Sequence, residues 1–367
     1  MDRRLYWLWL AAGLGFAPQR LHGLMETYQE VEEIFCHRME LLRRRLVSPA
    51  QQRALAGSQP QEFAGRLQEH LDAGYQVLGY DDPDYPPPLR EISDPPAVLY
   101  LQGDLGLIRD KLAIGMIGTR RPSAYGIEAA QFLGRQLAGA GVALISGLAD
   151  GLDSEAHKAA VAAGTPTVAV LGTAIDRTYP ARNETLRGLI AKNGAVISEY
   201  PIGTAGKGSY FVLRNRIIAG LSRGVLVVEA RMRSGTMSTV RYALESGRDI
   251  FAVPGSIFSP LSEGANHLLQ EGARPVLRAE DLLEEYGMAP QGEAEQEPQC
   301  PAQAEQELPL SDAAKQMRAA LTVHPQEFGA LCAATGLAAG AAMAALTELE
   351  LAGLSDQLAG RRFRLAQ

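Results

Sequence analysis

Four glycine-bearing segments hold the side chains best suited to chemistry. The first is Gly118-Thr119-Arg120-Arg121-Pro122-Ser123. Gly118 lets the backbone turn tightly, Ser123 suits a helix cap, and two arginines can grip a phosphate in bidentate fashion. A helix starting there would add the attraction of its N-terminus for an anion. The second segment runs Ser146-Gly147-Leu148-Ala149-Asp150-Gly151-Leu152-Asp153 and leads to His157. Its two glycines allow close approach of the backbone. Asp153 and His157 stand one helical turn apart, but two ligands do not define a metal site. A cap at Asp153 with His157 packed behind it is the preferred reading, and no metal is expected.

The third segment, Gly203 to Phe211, carries Lys207 and continues into Val212-Leu213-Arg214-Asn215-Arg216. It comes near to a Walker phosphate loop and fails, having Pro201 where that loop needs Gly and Gly208 where it needs Ser or Thr. ATP hydrolysis by that route is not expected. Cations for phosphates and rings for base stacking suit single-stranded nucleic acid. The competing reading puts Phe211 in a core and makes Arg214 or Arg216 a structural ion pair. The fourth segment is Glu229-Ala230-Arg231-Met232-Arg233-Ser234-Gly235-Thr236, followed by Arg241. Ser234-Gly235 at a helix start is another anion cradle, and Glu229 can hold an arginine in place.

Residues 118–127, 203–216 and 231–241 together carry Arg120, Arg121, Lys207, Arg214, Arg216, Arg231, Arg233 and Arg241, with no carboxylate. The whole chain has 35 Lys+Arg against 42 Asp+Glu, a net charge of −7. Segregation of this kind reads as an electropositive groove on an acidic protein. The balance excludes a uniformly basic nucleic-acid coat and a polybasic membrane binder. No G-x-S-x-G elbow, H-E-x-x-H pair or calcium loop is present. Neither a catalytic constellation nor a cofactor is expected.

These loops need a frame that brings them to one edge. Apolar runs at 112–117, 142–146, 166–171, 195–198, 224–228 and 249–253 alternate with amphipathic stretches. Runs of that kind are strands covered on both faces, and the alternation implies a doubly wound, mostly parallel α/β sheet. In such sheets the ligand lies beyond the carboxyl ends of the strands, where the four segments fall. Hydrophobic residues are 46% of the 367, enough for two or three cored domains.

Residues 1–72 read as a small helical domain. Gly13-Leu14-Gly15 can offer backbone N–H groups to a phosphate, as helix-hairpin-helix modules do, although a packing module is preferred. The basic, then apolar start, 1–17, resembles a signal peptide, yet it lacks a small-x-small cleavage site and meets Pro18. A buried first helix is the preferred reading. Residues 73–287 hold the sheet. Residues 288–310, rich in Glu, Gln and Pro, read as a flexible linker, and 311–367 as a helix–turn–helix with a hairpin wing. Cys36, Cys300 and Cys332 form neither a C-x-x-C motif nor a disulfide framework, which points to a reducing, cytoplasmic setting. No uninterrupted apolar run reaches membrane-spanning length.

The chain resembles the DprA/Smf family of DNA-processing proteins over about 75–285. The resemblance rests on Tyr85-Pro86, Gly118-Thr119-Arg120, Ser146-Gly147-Leu148-Ala149, Gly151-Leu152-Asp153, His157, Tyr179-Pro180 and Ser198-Glu199-Tyr200-Pro201. It continues through Arg214-Asn215-Arg216, Glu229-Ala230, Ser234-Gly235-Thr236, Gly247-Arg248, Val253-Pro254-Gly255 and Asn266. It implies an extended Rossmann domain that binds and protects single-stranded DNA, forms a homodimer, and loads RecA recombinase during natural transformation. It also implies a variable N-terminal helical domain and a C-terminal winged-helix-like domain. The implied DNA pocket falls on Arg120, Lys207, Phe211, Arg214, Asn215 and Arg216. With the loop residues Gly118, Thr119, Ser146, Gly147, Ser234 and Gly235, these make up the expected strand-binding site. Asp150 stands where the family usually has a basic residue, and His267 where it has Arg. The alternative is a nucleotide-processing Rossmann enzyme of the nucleoside-phosphate hydrolase type, with Glu229 as its strand-end acid. The Pro-Gly-Gly-x-Gly-Thr signature of that class is absent, since the chain has Pro254-Gly255-Ser256.

Overall fold

The computed structural model describes residues 1–16, 21–288, 310–322, 326–352, 354–358 and 362–365. The N-terminal part contains α1 (Arg3–Leu14), α2 (Leu21–Thr27), α3 (Val31–Cys36), α4 (Pro49–Ala56), α5 (Ala64–Asp72), β1 (Gln76–Gly79), α6 (Pro87–Arg90) and β2 (Val98–Gly103). The alternating part follows with β3 (Ala113–Ile117), α7 (Ala124–Gly139), β4 (Ala143–Ser146), α8 (Leu152–Ala162), β5 (Thr167–Leu171), α9 (Glu184–Asn193) and β6 (Gly194–Ser198). It ends with α10 (Gly208–Leu221), β7 (Gly224–Val227), α11 (Thr236–Glu245), β8 (Asp249–Ala252), α12 (Glu263–Gln270), β9 (Arg274–Pro275) and α13 (Glu280–Leu283).

The strands form one sheet in the order β1-β2-β6-β5-β4-β3-β7-β8-β9. From β6 to β9 every pair is parallel, while β2 joins β6 and β1 joins β2 antiparallel. This is the expected doubly wound α/β sheet, with antiparallel strands added at one edge. Every residue of β3, β4, β5, β6 and β7 is buried, which is why the sequence shows continuous apolar runs and no alternation. On one face Ile217, Ile218 and Val240 of α10 and α11 pack on Ile145, Val168 and Val225. On the other, Leu133, Leu137 and Ala156 of α7 and α8 pack on Ile114, Met116 and Leu226. The chain winds from β3 outward to β6 on one side and from β7 outward on the other. The helices after β3 and β7 therefore lie on opposite faces of the sheet and leave a crevice beyond the strand ends.

One glycine closes that crevice from below. Gly151, which caps α8, has φ +76°, and a Cβ there would lie 2.8 Å from the Arg120 carbonyl carbon. With no side chain in the way, Leu152 N donates to Thr119 O at 3.2 Å, and the loops after β3 and β4 touch.

The N-terminal helices share a core with the sheet edge. Trp7, Leu8, Leu21, Leu24 and Leu55 pack with Val77, Val98, Tyr100 and Leu171, and Met1–Gln291 forms one compact unit. The apolar α1 is thus a buried helix. Gly13 is buried, and a Cβ on it would lie 2.6 Å from Leu55 Cγ, so it faces packed side chains and not a phosphate. No single helix among the described residues is long and apolar enough to cross a membrane.

The second unit, Gly292–Gln367, contains α14 (Asp312–Ala320), β10 (Gln326–Glu327), α15 (Phe328–Thr335), α16 (Ala339–Leu351), β11 (Ser355–Leu358) and β12 (Arg362–Leu365). Its antiparallel sheet has the order β10-β12-β11, and Met317, Leu331, Leu346, Leu349 and Phe363 form its core. Three helices with a β-hairpin after the third give a winged helix. The expected linker 288–310 lies outside the described residues except for Met288 and Leu310, and so do Gly353 and 359–361 of the expected wing.

Candidate nucleic-acid interface

The loops after β3 and β7 are tied together by backbone and side chain. Thr119 N donates to Glu229 O at 2.8 Å, and the Thr236 hydroxyl donates to Gly118 O at 3.1 Å. Glu229 is 1% exposed and turns its carboxylate to the start of α7. It accepts from Ser123 N at 3.0 Å and from Ser123 Oγ at 2.6 Å. The sequence left Glu229 to hold an arginine; the structure gives it Ser123, 106 residues away. The N-terminus of α7, expected to attract a ligand anion, already holds a carboxylate of the protein.

Arg214 lies at the crevice floor. It projects from α10, is 3% exposed, and donates through Nη1 to Val170 O. Burial pushes its pKa down to about 10, with Asp153 opposing and Arg120 adding to the fall, so it keeps its charge at neutral pH. Asp153 is also buried. Burial raises its pKa and the Arg214 charge lowers it. Asp153 does not cap its own helix, a place taken by Gly151; its Oδ2 accepts from Gly147 N at 3.1 Å and holds the preceding loop. His157 is fully buried, with Nδ1 2.8 Å from Thr167 Oγ1. Thr167 Oγ1 donates its proton to Leu144 O, so Nδ1 carries the imidazole proton. Burial first, and Arg214 second, push His157 down to about 3. No group of metal-ligating side chains occurs among the described residues, and Asp153 and His157 serve packing and loop position.

Above this floor opens a groove of about 880 Å³. Gly118, Thr119, Arg120, Arg121, Phe211, Arg214, Asn215, Ser234 and Gly235 line it, together with Tyr179 and Arg231. The Arg120 guanidinium lies 5.6 Å over the Phe211 ring, and Phe211 and Tyr179 have centroids 5.4 Å apart. Tyr179 is 55% exposed. Arg120, Arg121, Lys207, Arg231 and Arg233 are exposed, and none makes an ion pair with a described residue. Asp150, near the rim, is neutralised by Arg182, 2.5 Å away. Two buried polar atoms of the lining residues, Arg214 Nε and Ser234 Oγ, have no hydrogen-bond partner among the described residues. Unpaired buried polar atoms of this kind are costly to the fold.

Not every expected residue reaches the groove. Ser146 is fully buried and donates to Met116 O at 2.7 Å. Gly147 lies beneath Arg214, where a Cβ would meet the guanidinium 2.6 Å from Cζ. Asn215 lines the groove, but its amide donates to Ser238 Oγ at 2.8 Å and to Gly235 O at 3.3 Å, anchoring the start of α11. Lys207 stands in an adjoining hollow. Arg216 turns away altogether. It is 3% exposed and pairs with Glu199 at 2.7 Å and Asp94 at 3.3 Å. Burial opposes the Arg216 charge, but the two carboxylates outweigh it and raise its pKa. Tyr179 was absent from the expected site. Its signal was its position in the loop after β5, at the same carboxyl edge as the other loops.

Comparison with known proteins settles the family. Residues 76–287 match the family described as DNA recombination-mediator protein A, and residues 301–361 match the DprA winged helix domain. The chain belongs to this family. Protein Smf of Synechocystis is 36% identical over 326 residues, 81% of this chain and 82% of that protein. DNA processing protein DprA of Streptococcus pneumoniae is 44% identical over 206 residues, 56% of this chain and 72% of that one. A crystal structure of the pneumococcal DNA processing protein A aligns with TM-score 0.67 and 33% identity, covering 77% of this chain and 97% of that one. The DNA processing protein A of Helicobacter pylori, described for its unique single-stranded DNA binding mode, aligns with TM-score 0.53 and 31% identity over 58% of this chain and 95% of that one. The pneumococcal and Helicobacter relatives thus share the fold of the sheet that builds the groove, and this chain carries the family's winged helix domain as well.

Proposed function

We propose that this DprA-family chain binds single-stranded DNA along the groove, shields it, and passes it to a RecA-type recombinase in DNA recombination and natural transformation. It acts as a cytoplasmic homodimer without catalysing a reaction. The observation that carries the reading is the set of exposed cations without carboxylate partners, interleaved with Tyr179 and Phe211 over the buried Arg214. Cations track a backbone, and rings accept unstacked bases, which a duplex keeps to itself. The single-stranded binding described for the Helicobacter pylori relative supports the same ligand. The nucleotide-hydrolase alternative has less support, because Glu229 is buried against Ser123 and is not among the groove-lining residues.

Fluorescence anisotropy with the full chain tests the reading. Single-stranded oligonucleotide binds more tightly than duplex of the same length, Arg120→Ala weakens single-strand binding, and pre-covered strand accelerates filament assembly by a RecA-type recombinase. Equal affinity for both DNA forms, or an Arg120→Ala variant that binds like the parent, refutes the groove. An unaltered assembly rate refutes the hand-over.

A further inference from the structure

The N-terminal segment places an aromatic side chain beside the loop that carries Lys207. Phe16 follows α1 and meets Tyr200 edge-on, with ring centroids 4.9 Å apart, and Tyr210 at 5.6 Å. Tyr200 and Tyr210 are stacked at 4.3 Å with their planes 18° apart, so Phe16 leans on a rigid pair. Lys207 Nζ lies 5.6 Å from the Tyr210 ring centre. Phe16, Lys207, Ser209, Tyr210, Val212 and Leu213 surround an open hollow of about 660 Å³. Val212, 42% exposed, lines this hollow and the main groove alike, so the two adjoin across a single side chain.

The chemistry of the hollow is narrow. It has apolar and aromatic walls, the hydroxyls of Ser209 and Tyr210, one ammonium and no carboxylate. Its size falls in the range of small-ligand sites, about 300–1,000 Å³. An apolar surface beside one cation fits a nucleotide, whose base has a π-face and whose phosphate carries charge. Continuity with the main groove makes a nucleotide of the same strand the favoured occupant over an acidic, apolar peptide. We infer that Phe16, Val212 and Lys207 form a second nucleotide subsite, which takes a base of the bound strand as that strand leaves the main groove. The base rests against Phe16 and Val212, and its phosphate lies on Lys207. The N-terminal helices thereby become part of the strand-binding surface. This inference rests on the main groove being the strand site.

The experiment titrates the full chain with labelled oligothymidylates of about 4 and about 16 nucleotides, lengths that span known strand-site sizes. Phe16→Ala weakens binding of the longer oligomer about five- to a hundredfold, the usual effect of losing one stacked base, and leaves the shorter one unchanged. The indole introduced by Phe16→Trp is quenched by the longer oligomer alone, which gives a second readout in a variant that keeps an aromatic ring. Equal weakening for both lengths marks Phe16 as a support for α10 and overturns the subsite. So does an unaltered affinity for the longer oligomer, or quenching by an acidic apolar peptide and not by DNA. If the parent protein binds neither oligomer, the groove reading falls first and the subsite with it.

Discussion

Arg214 and Arg216 look equivalent in the sequence, and one pair of substitutions separates them. Arg216 is buried between Glu199 and Asp94, so Arg216→Met leaves the 4%-exposed Glu199 without its arginine. Removing one partner of a buried pair costs about 3–5 kcal/mol. The exposed, unpaired cations act through counterion release instead. Of the eight counted in the sequence, Arg214 is buried beside Asp153, Arg216 is paired, and Arg241 faces Glu245 at 3.6 Å, which leaves five. At about 0.7 per phosphate on a single strand, five contacts give a log–log salt slope near −3.5, or roughly a hundredfold loss of affinity between about 50 and 200 mM salt. Arg120→Ala should flatten that slope by about 0.7 and leave urea unfolding nearly unchanged. Arg216→Met should lower unfolding free energy by the amount given and leave the slope alone, and adding Glu199→Gln should recover part of the loss. Urea melts and anisotropy at several salt concentrations measure both quantities on the same samples. If Arg216→Met flattens the salt slope while stability holds, the assignment of Arg216 to the scaffold is wrong.

Two further outcomes follow from the floor of the groove. Gly147→Ala drives a methyl into the Arg214 guanidinium and should cost about 1–3 kcal/mol of stability, with weaker single-strand binding; a melt and a titration check both, and an unperturbed titration would show that Arg214 does not contribute. His157 sits at about 3 when folded against about 6.5 when unfolded, so above pH 6.5 both states are neutral there. As pH falls below 6.5 the unfolded chain takes up the proton first, and stability drops by up to about 1.4 kcal/mol per pH unit towards pH 3. Asp153, raised by burial, works in the opposite sense and returns part of that loss at lower pH. His157→Gln should flatten the acid limb in pH-dependent melts; a limb as steep as the parent's would assign it to other groups.

The sheet was legible because strands buried on both faces print themselves as apolar runs, and the runs at 112–117 and 224–228 match β3 and β7 to within a residue. The loops were legible by chemistry and fold rule, since every parallel strand delivers its following loop to one edge. What the sequence could not show was which way each side chain turns. Arg214 and Arg216 are two residues apart on a helix, about 200° around its axis, so one faces the groove and the other the opposite flank. The partners that decide this, Asp153 for the first and Glu199 with Asp94 for the second, lie in other elements. Glu229 and Ser123 are similarly distant in sequence, and no local pattern pairs them. β1 was missed because Gln76-Val77-Leu78-Gly79 begins exposed and holds only two large apolar residues, and β9 because its two residues are both exposed, so neither prints a continuous apolar run.

The carboxylate of Glu229 at the head of α7 has a consequence for what the groove ignores. Rossmann folds usually seat a nucleotide's phosphate at that helix end. Here the seat is filled from within, and Gly126 makes the room, since a Cβ there would lie 3.1 Å from Glu229 Cγ. A free nucleotide finds no preformed cradle at this position and competes poorly with a polymer that touches many side chains at once. On the proposed strand path, affinity is spread over many side chains, so a strand held there would be released contact by contact.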